Sequence, residues 1–159
     1  MRVGWGYDVH RFSSGGRLIL AGVVVDEERG VEATSDGDVA AHAVVDAVLG
    51  AAGLGDIGEH FPSDDPRWEA ADSMAMVRHA AMAAHDAGWY VGGCDVTVVA
   101  EAVRIAPHRE AMRANLGDRL AVMELESVSV KATSTDGLGF VGREEGLAAI
   151  AVAVLRSLD

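Results

Sequence analysis

Alternating strand-like stretches, capped helical stretches and the order in which they follow one another predict a two-layer α/β (α+β) sandwich, a small mixed β-sheet with helices on one face. The strand signal is apolar–polar alternation at a period of two, in "VGWGYDVHRF", "CDVTVVA" and "SVSVKATS". The helical signal is apolar residues recurring on one face between polar starts and glycine stops. The order runs strands, helix, helix, strand, helix, strand, then an apolar tail.

"VGWGYDVHRF" opens the sheet, and "RLILAGVVV" after a Ser-Gly-Gly turn is predicted as a second strand. A helix follows from Asp38 to Ala52 and stops at Gly53, with Ser35 and Asp38 in capping-box-like spacing before it. "LGDIGEHFPSDDPRW" has turn residues throughout and no period, which predicts a loop. A second helix runs from Asp72 to Ala87, with Met74, Val77 and Ala81 on one face and Gly88 at its stop. "CDVTVVA" is a strand. "PHREAMRANLG" has Pro at a helix start and Gly at its end. "SVSVKATS" is a further strand. "GLAAIAVAVLRSL" is ambiguous, because Ala and Leu favour helix while Ile and Val favour strand.

The 159 residues suit one domain spanning 1–159, and 50% hydrophobic with 24% charged residues is a globular composition. No run approaches the ~20 apolar residues of a membrane span. The N-terminus carries no apolar signal core, and the single Cys94 excludes a disulfide framework, so a cytoplasmic location is expected. A net charge of −12 argues against nucleic acid as partner. An anionic substrate would need local positive charge at its site, which a metal supplies.

Asp8 and His10 stand two apart on a strand, so their side chains share a face. His42, on the first helix, is a candidate third ligand. Two histidines and one carboxylate leave a fourth position open, the pattern of a catalytic zinc. Asp46, one turn beyond His42, reads either as its hydrogen-bond partner or as a plain surface acid. "KATSTDG" reads either as a turn or as hydroxyls and amides that hold phosphate oxygens, with Asp136 available to a divalent cation. Asp56, Asp64 and Asp65 share a loop that is either a solvated acidic segment or a binder of substrate hydroxyls. "GLGFVG" matches a dinucleotide fingerprint literally, but too little chain follows it for the rest of that unit. No nucleophile elbow, reactive-cysteine setting or phosphate-binding P-loop is present.

Together "GYDVH", "SDGDVAAHAVVDAVLGAAGLGDIG", "FPSDDPRW" and "VKATSTDGLGFVGREEG" resemble the 2-C-methyl-D-erythritol 2,4-cyclodiphosphate synthases, the cyclising enzymes of non-mevalonate isoprenoid synthesis. The resemblance spans essentially the whole chain. It implies a homotrimer with active sites between adjacent subunits, and a C-terminal tail that is a strand. It implies that Asp8, His10 and His42 hold one Zn²⁺ per site. The substrate would be a cytidine diphosphate ester whose 2-phosphate attacks the β-phosphorus, closing the cyclic diphosphate and expelling CMP. Ser35 would face substrate, and the stretch Asp56, Ile57 and Gly58 with the loop Phe61, Pro62, Ser63, Asp64 and Asp65 would hold the methylerythritol phosphate. Ala100 to Ala106, including Arg104 and Ile105, would hold the cytidine and its phosphates together with Thr133, Ser134, Thr135 and Asp136. Ser134 falls where the family stabilises the transition state. Asp136 falls at the second cation, Mg²⁺ or Mn²⁺, and Phe140 and Arg143 at the last substrate contacts.

The chain departs from the family pattern at a few positions. Thr34 stands where a catalytic His is usual, Ser134 for Thr, Asp136 for Glu, Arg104 for Lys and Trp5 for His. Thr34 donates a hydrogen bond but carries no positive charge. It leaves open a nucleotide- or isoprenoid-diphosphate-binding homologue with weakened catalysis, and the Asp/His set leaves open a metal-dependent phosphohydrolase. The chemistry suits the synthase, since a phosphate nucleophile is already anionic and needs alignment and charge neutralisation, not a general base.

Overall fold

A computed structural model describes residues 1–158. Five strands form a mixed sheet in the order β4 (Arg29–Val31), β1 (Arg2–Ser14), β7 (Gly146–Ser157), β5 (Trp89–Val99), β6 (Val128–Thr133). Only β5 and β6 run parallel. The helices α1 (Val39–Ala52), α3 (Ser73–Asp86) and α4 (Arg109–Leu120) cover one face, as expected. Among the described residues no helix is long and apolar enough to cross a membrane.

The ambiguous tail is the central strand β7, paired with β1 on one side and β5 on the other. Its Leu147, Ala149, Ala151, Ala153 and Leu155 face the helices and are buried, while Ile150, Val152 and Val154 alternate to the open face. Small alanines let α1 settle close. On β1 the same role falls to Gly4 and Gly6, where an added Cβ would strike the carbonyl oxygens of Ala47 and Ala43. Every α1 residue is buried except His42, Asp46 and Gly50, which follow one another at i, i+4 and i+8 as a single open stripe. Asp38 caps α1, its carboxylate accepting from the Ala41 N–H, and Gly53 closes it at φ 75°.

Several elements differ from the sequence expectation. "RLILAGVVV" is a hairpin of β2 (Leu18–Leu20) and β3 (Val23–Asp26), turning at Ala21 and Gly22 with φ of 47° and 73°. The Asp38 carboxylate accepts from both turn N–H groups, at 2.8 and 2.7 Å, and so holds a conformation that alanine disfavours. Asp38 alone is the cap, since Ser35 Oγ instead contacts Gly37 N and His42. The expected loop contains α2 (Ile57–His60) and a 3₁₀ turn at Pro66–Trp68, capped by Asp56 and Asp65. α4 runs past Gly117, which is buried against Leu125, and ends at a left-handed Ala121. "GLGFVG" closes into the short α5 (Gly139–Gly142).

Cys94 on β5 is 4% exposed, and burial pushes its thiol up to about 12. The folded chain therefore keeps its thiol proton where the unfolded chain, near the ordinary ~8.5, begins to lose it, so this group's contribution to stability falls as pH rises past that value. A disulfide reagent at pH 8 is expected to label no thiol in the native protein and one per chain in guanidinium. Rapid native labelling would contradict the burial.

Candidate metal centre and substrate cleft

The register of α1 against β1 builds the centre. Gly4 lies against Ala47 and Ala51, and Gly6 against Ala43 and Ala47. Two strand residues advance about as far as one helical turn. Two and four residues further along β1, Asp8 and His10 therefore arrive at the first turn of α1, beside His42. His42 Nδ1 lies 2.8 Å from Asp8 Oδ2, His10 Nε2 lies 3.1 Å from the same oxygen, and the two nitrogens are 3.2 Å apart. The His42, His10 and Asp8 side chains are 11%, 16% and 27% exposed.

The donor set fits a tetrahedral metal. Bonds of about 2.0–2.2 Å place neighbouring ligand atoms about 3.3 Å apart, so sides of 2.8 to 3.2 Å need widening by only a few tenths of an ångström. Two imidazoles and one carboxylate supply three ligands and leave a fourth direction open. Burial would raise the Asp8 carboxyl, but hydrogen bonds from His10 and His42 overcome it and hold Asp8 well below the usual carboxylate range. Burial would lower His10, and the bond and charge of Asp8 outweigh it and raise His10. The ionised Asp8 carboxylate and the two ring nitrogens facing it are a donor set that suits a cation.

Asp46 does not touch His42. Its half-buried carboxylate accepts from Ile57 N–H at 2.8 Å and ties the start of α2 to α1; burial raises it. Neither sequence reading of Asp46 holds. The partners of His42 Nε2 are Ser73 Oγ at 2.9 Å and Ser35 Oγ at 3.1 Å. Sequence reasoning missed Ser73, whose only signal is a serine behind a capping Asp.

A cavity of about 230 Å³ opens beside the centre, and its lining includes His10, His42, Thr34, Ser35, Ile57, Gly58, Phe61 and Ser63. Phe61 is held edge-on to Trp68 at 4.9 Å between ring centroids. An adjoining hollow of about 350 Å³ takes in Thr34, Ser63, Asp64 and Asp65. Asp56 lines neither cavity and caps α2 through the Glu59 N–H, while Asp65 pairs with Arg67.

The remaining candidates gather elsewhere. Val99 and Thr133 are paired at the ends of parallel β5 and β6, and Ala100 N–H donates to Thr133 O at 3.0 Å. The Glu101 carboxylate accepts from the N–H groups of Thr135 and Gly137, each at 3.0 Å, and those bonds hold it below the usual range. It shapes a turn in which Ser134 Oγ donates to Asp136 Oδ1 at 3.2 Å and Asp136 takes φ 52°. Ile105 is buried, so only its backbone is available, whereas Arg104 is exposed. Arg143, just past α5, pairs with Glu145. None of these residues lines the cavity beside the metal centre. β7 lies between the two clusters, with Ala148 paired to Val9 of β1 and to Val99 of β5.

A profile of the YgbB family matches residues 1–156. A relative from Thioalkalivibrio sulfidiphilus (strain HL-EbGR7), named 2-C-methyl-D-erythritol 2,4-cyclodiphosphate synthase, is 54% identical over 157 residues, 99% of this chain and 98% of its own. The bifunctional IspDF from Campylobacter jejuni superposes with a TM-score of 0.95 at 39% identity over 99% of this chain, which spans 42% of that longer one. The Plasmodium falciparum IspF CDP complex superposes at 0.86 with 28% identity, covering 99% of this chain and 97% of its own. Likeness of this extent, in sequence and in every layer of the fold, means that the chain belongs to the YgbB family.

Proposed function

We propose that the chain converts 4-diphosphocytidyl-2-C-methyl-D-erythritol 2-phosphate into 2-C-methyl-D-erythritol 2,4-cyclodiphosphate and CMP in the cytoplasm. The observation that carries the reading is the Asp8, His10 and His42 triangle beside a cavity lined by Ser35, Ile57, Gly58 and Phe61. An oxygen of the 2-phosphate forms the new bond to the β-phosphorus, and the bridging oxygen leaves on CMP. No water is consumed and no general base is required.

Asp8, His10 and His42 hold Zn²⁺, and Asp136 contributes to a second cation, Mg²⁺ or Mn²⁺. When bound, the cations act as Lewis acids and templates that neutralise the phosphoryl oxygens. They also let a chain of net charge −12 accept a polyanion. Ser35, the 56–58 stretch and the 61–65 loop fix the methylerythritol phosphate. Residues 100–106 with Thr133 and Thr135 take the cytidine end, Ser134 donates a hydrogen bond to the transferring phosphoryl group, and Phe140 and Arg143 complete the contacts. Two binding clusters on one chain that share no cavity call for a second copy to complete each site, which supports a homotrimer with sites between subunits.

Incubating the protein with this substrate, Zn²⁺ and Mg²⁺ is expected to give CMP and the cyclic diphosphate resonances by ³¹P NMR. Free phosphate would overturn the synthase reading. Thr34 is exposed at the cavity and offers no positive charge. Thr34→His is expected to raise turnover about tenfold, short of the ~10²–10³ of a full transition-state donor because Thr34 already offers a hydrogen bond. An unchanged or lower kcat would mean that the surrounding residues already supply that stabilisation.

A further inference from the structure

The reading above uses the metal-facing nitrogen of His42 and leaves the opposite ring nitrogen, Nε2, without a role. Nε2 meets Ser73 Oγ at 2.9 Å. Among the described residues Ser73 and Asp38 are the only buried polar ones, both 0% exposed. The Ser73 hydroxyl makes a short hydrogen bond to Asp36 Oδ1, and its backbone N–H donates to Asp36 Oδ2 at 3.1 Å. Asp36 is fixed in turn, its N–H donating to Ala71 O at 3.1 Å and its Oδ1 accepting from Asp38 N–H at 3.2 Å. A serine at the start of α3 therefore joins the turn before α1 to the histidine on α1.

Donor counting assigns the protons. A carboxylate only accepts, so the Ser73 O–H points at Asp36. Ser73 Oγ then has only lone pairs to offer His42 and is satisfied by a proton on Nε2, while the Ser35 hydroxyl, 3.1 Å from the same nitrogen, can accept from that N–H or turn to substrate. Nδ1 faces Asp8 Oδ2 at 2.8 Å, donating to it when no metal is present and freed of its proton when a cation sits between them, at the position of the metal.

We infer that Asp36 and Ser73 are positioning residues: the Asp36–Ser73–His42 chain locks His42 in its Nε2–H tautomer and turns Nδ1 to the metal. The inference rests on the metal reading of Asp8, His10 and His42. It agrees with the general behaviour of histidine ligands, whose second nitrogen is held by an outer partner worth ~10–100-fold in metal affinity.

Asp36→Asn makes the sharper test, because it keeps size and shape. Ser73 N–H and Asp38 N–H both only donate and face different oxygens, so the amide oxygen serves one of them; kept on Ser73 N–H, the nearer at 3.1 Å against 3.2 Å, it puts the NH₂ on Ser73 Oγ. The amide then donates, the hydroxyl turns to donate to Nε2, and the ring is driven to the Nδ1–H form, which closes the metal-facing nitrogen. Zn²⁺ affinity of metal-stripped protein, measured by chelator competition, is expected to fall about 10–100-fold in Asp36→Asn and in Ser73→Ala. At pH 8, ¹H–¹⁵N spectra of Zn²⁺-loaded wild type are expected to show a His42 Nε2–H and no Nδ1–H. Circular dichroism checks folding; if Ser73→Ala does not fold, Asp36→Asn carries the test. Wild-type zinc binding with both folded variants within twofold of it, or an Nδ1–H ring in the Zn²⁺-loaded wild type, overturns the inference and leaves the metal reading standing. Wild-type protein that takes up no Zn²⁺ overturns the metal reading instead.

Discussion

His42→Ala is expected to abolish stoichiometric Zn²⁺ binding and turnover while the chain stays folded and assembled. The substitution removes one of three donors that lie 2.8 to 3.2 Å apart, and the remaining Asp8 and His10 form too small a set for a tight zinc site. A metal acting as Lewis acid supplies several kcal/mol of charge stabilisation, so turnover is expected to fall about 10³-fold or more. Folding is spared because His42 lies on the open stripe of α1 and alanine is the best helix former. Ser73 loses its partner but keeps Asp36, so no buried hydroxyl is orphaned. Metal content by mass spectrometry, circular dichroism and solution mass check the three parts. Full zinc occupancy in the variant would remove His42 from the ligand set.

The three candidate metal donors are legible because each leaves a periodic mark. Asp8 and His10 share a strand face by alternation, and His42 is a polar break in an Ala/Val-rich helix. Those breaks recur at Asp46 and Gly50, so the open stripe of α1 can be read from "HAVVDAVLG". What lies behind the stripe is not legible. Asp46 is one turn from His42, yet the first N–H of α2 takes its carboxylate. Ser73 follows Asp72 at a helix start and reads as part of a cap, and its burial depends on how α3 meets the turn before α1. The hairpin at Ala21 and Gly22 is hidden for the same reason, since its turn is held by Asp38, many residues away. The tail could not be resolved by propensity, because its pairing on both sides decides it. Local signals give most of the elements and the candidate metal donors. Tertiary contacts choose their partners.

The open face of the sheet gives the second large effect. Val3, Trp5, Tyr7 and Val9 of β1 are 61%, 63%, 44% and 38% exposed there, beside the half-buried Ile150, Val152 and Val154 of β7. A contiguous apolar surface of this kind suits a contact between chains, and the proposed trimer would bury it. Ile150 sits between Tyr7 and Thr97 on that face. Ile150→Glu leaves the carboxylate hydrated in a free chain but desolvates it without a partner in the assembly, at a cost of several kcal/mol per subunit. The variant is expected to sediment near the 16.6 kDa of a single chain, to keep its Zn²⁺, and to release no CMP. Zinc is retained because Asp8, His10 and His42 all come from one chain, and turnover is lost because residues 100–106 and 133–136 no longer meet the cleft of a neighbour. A monomer with full turnover would show that one chain completes the site, and an unchanged assembly would show that this face is not its interface.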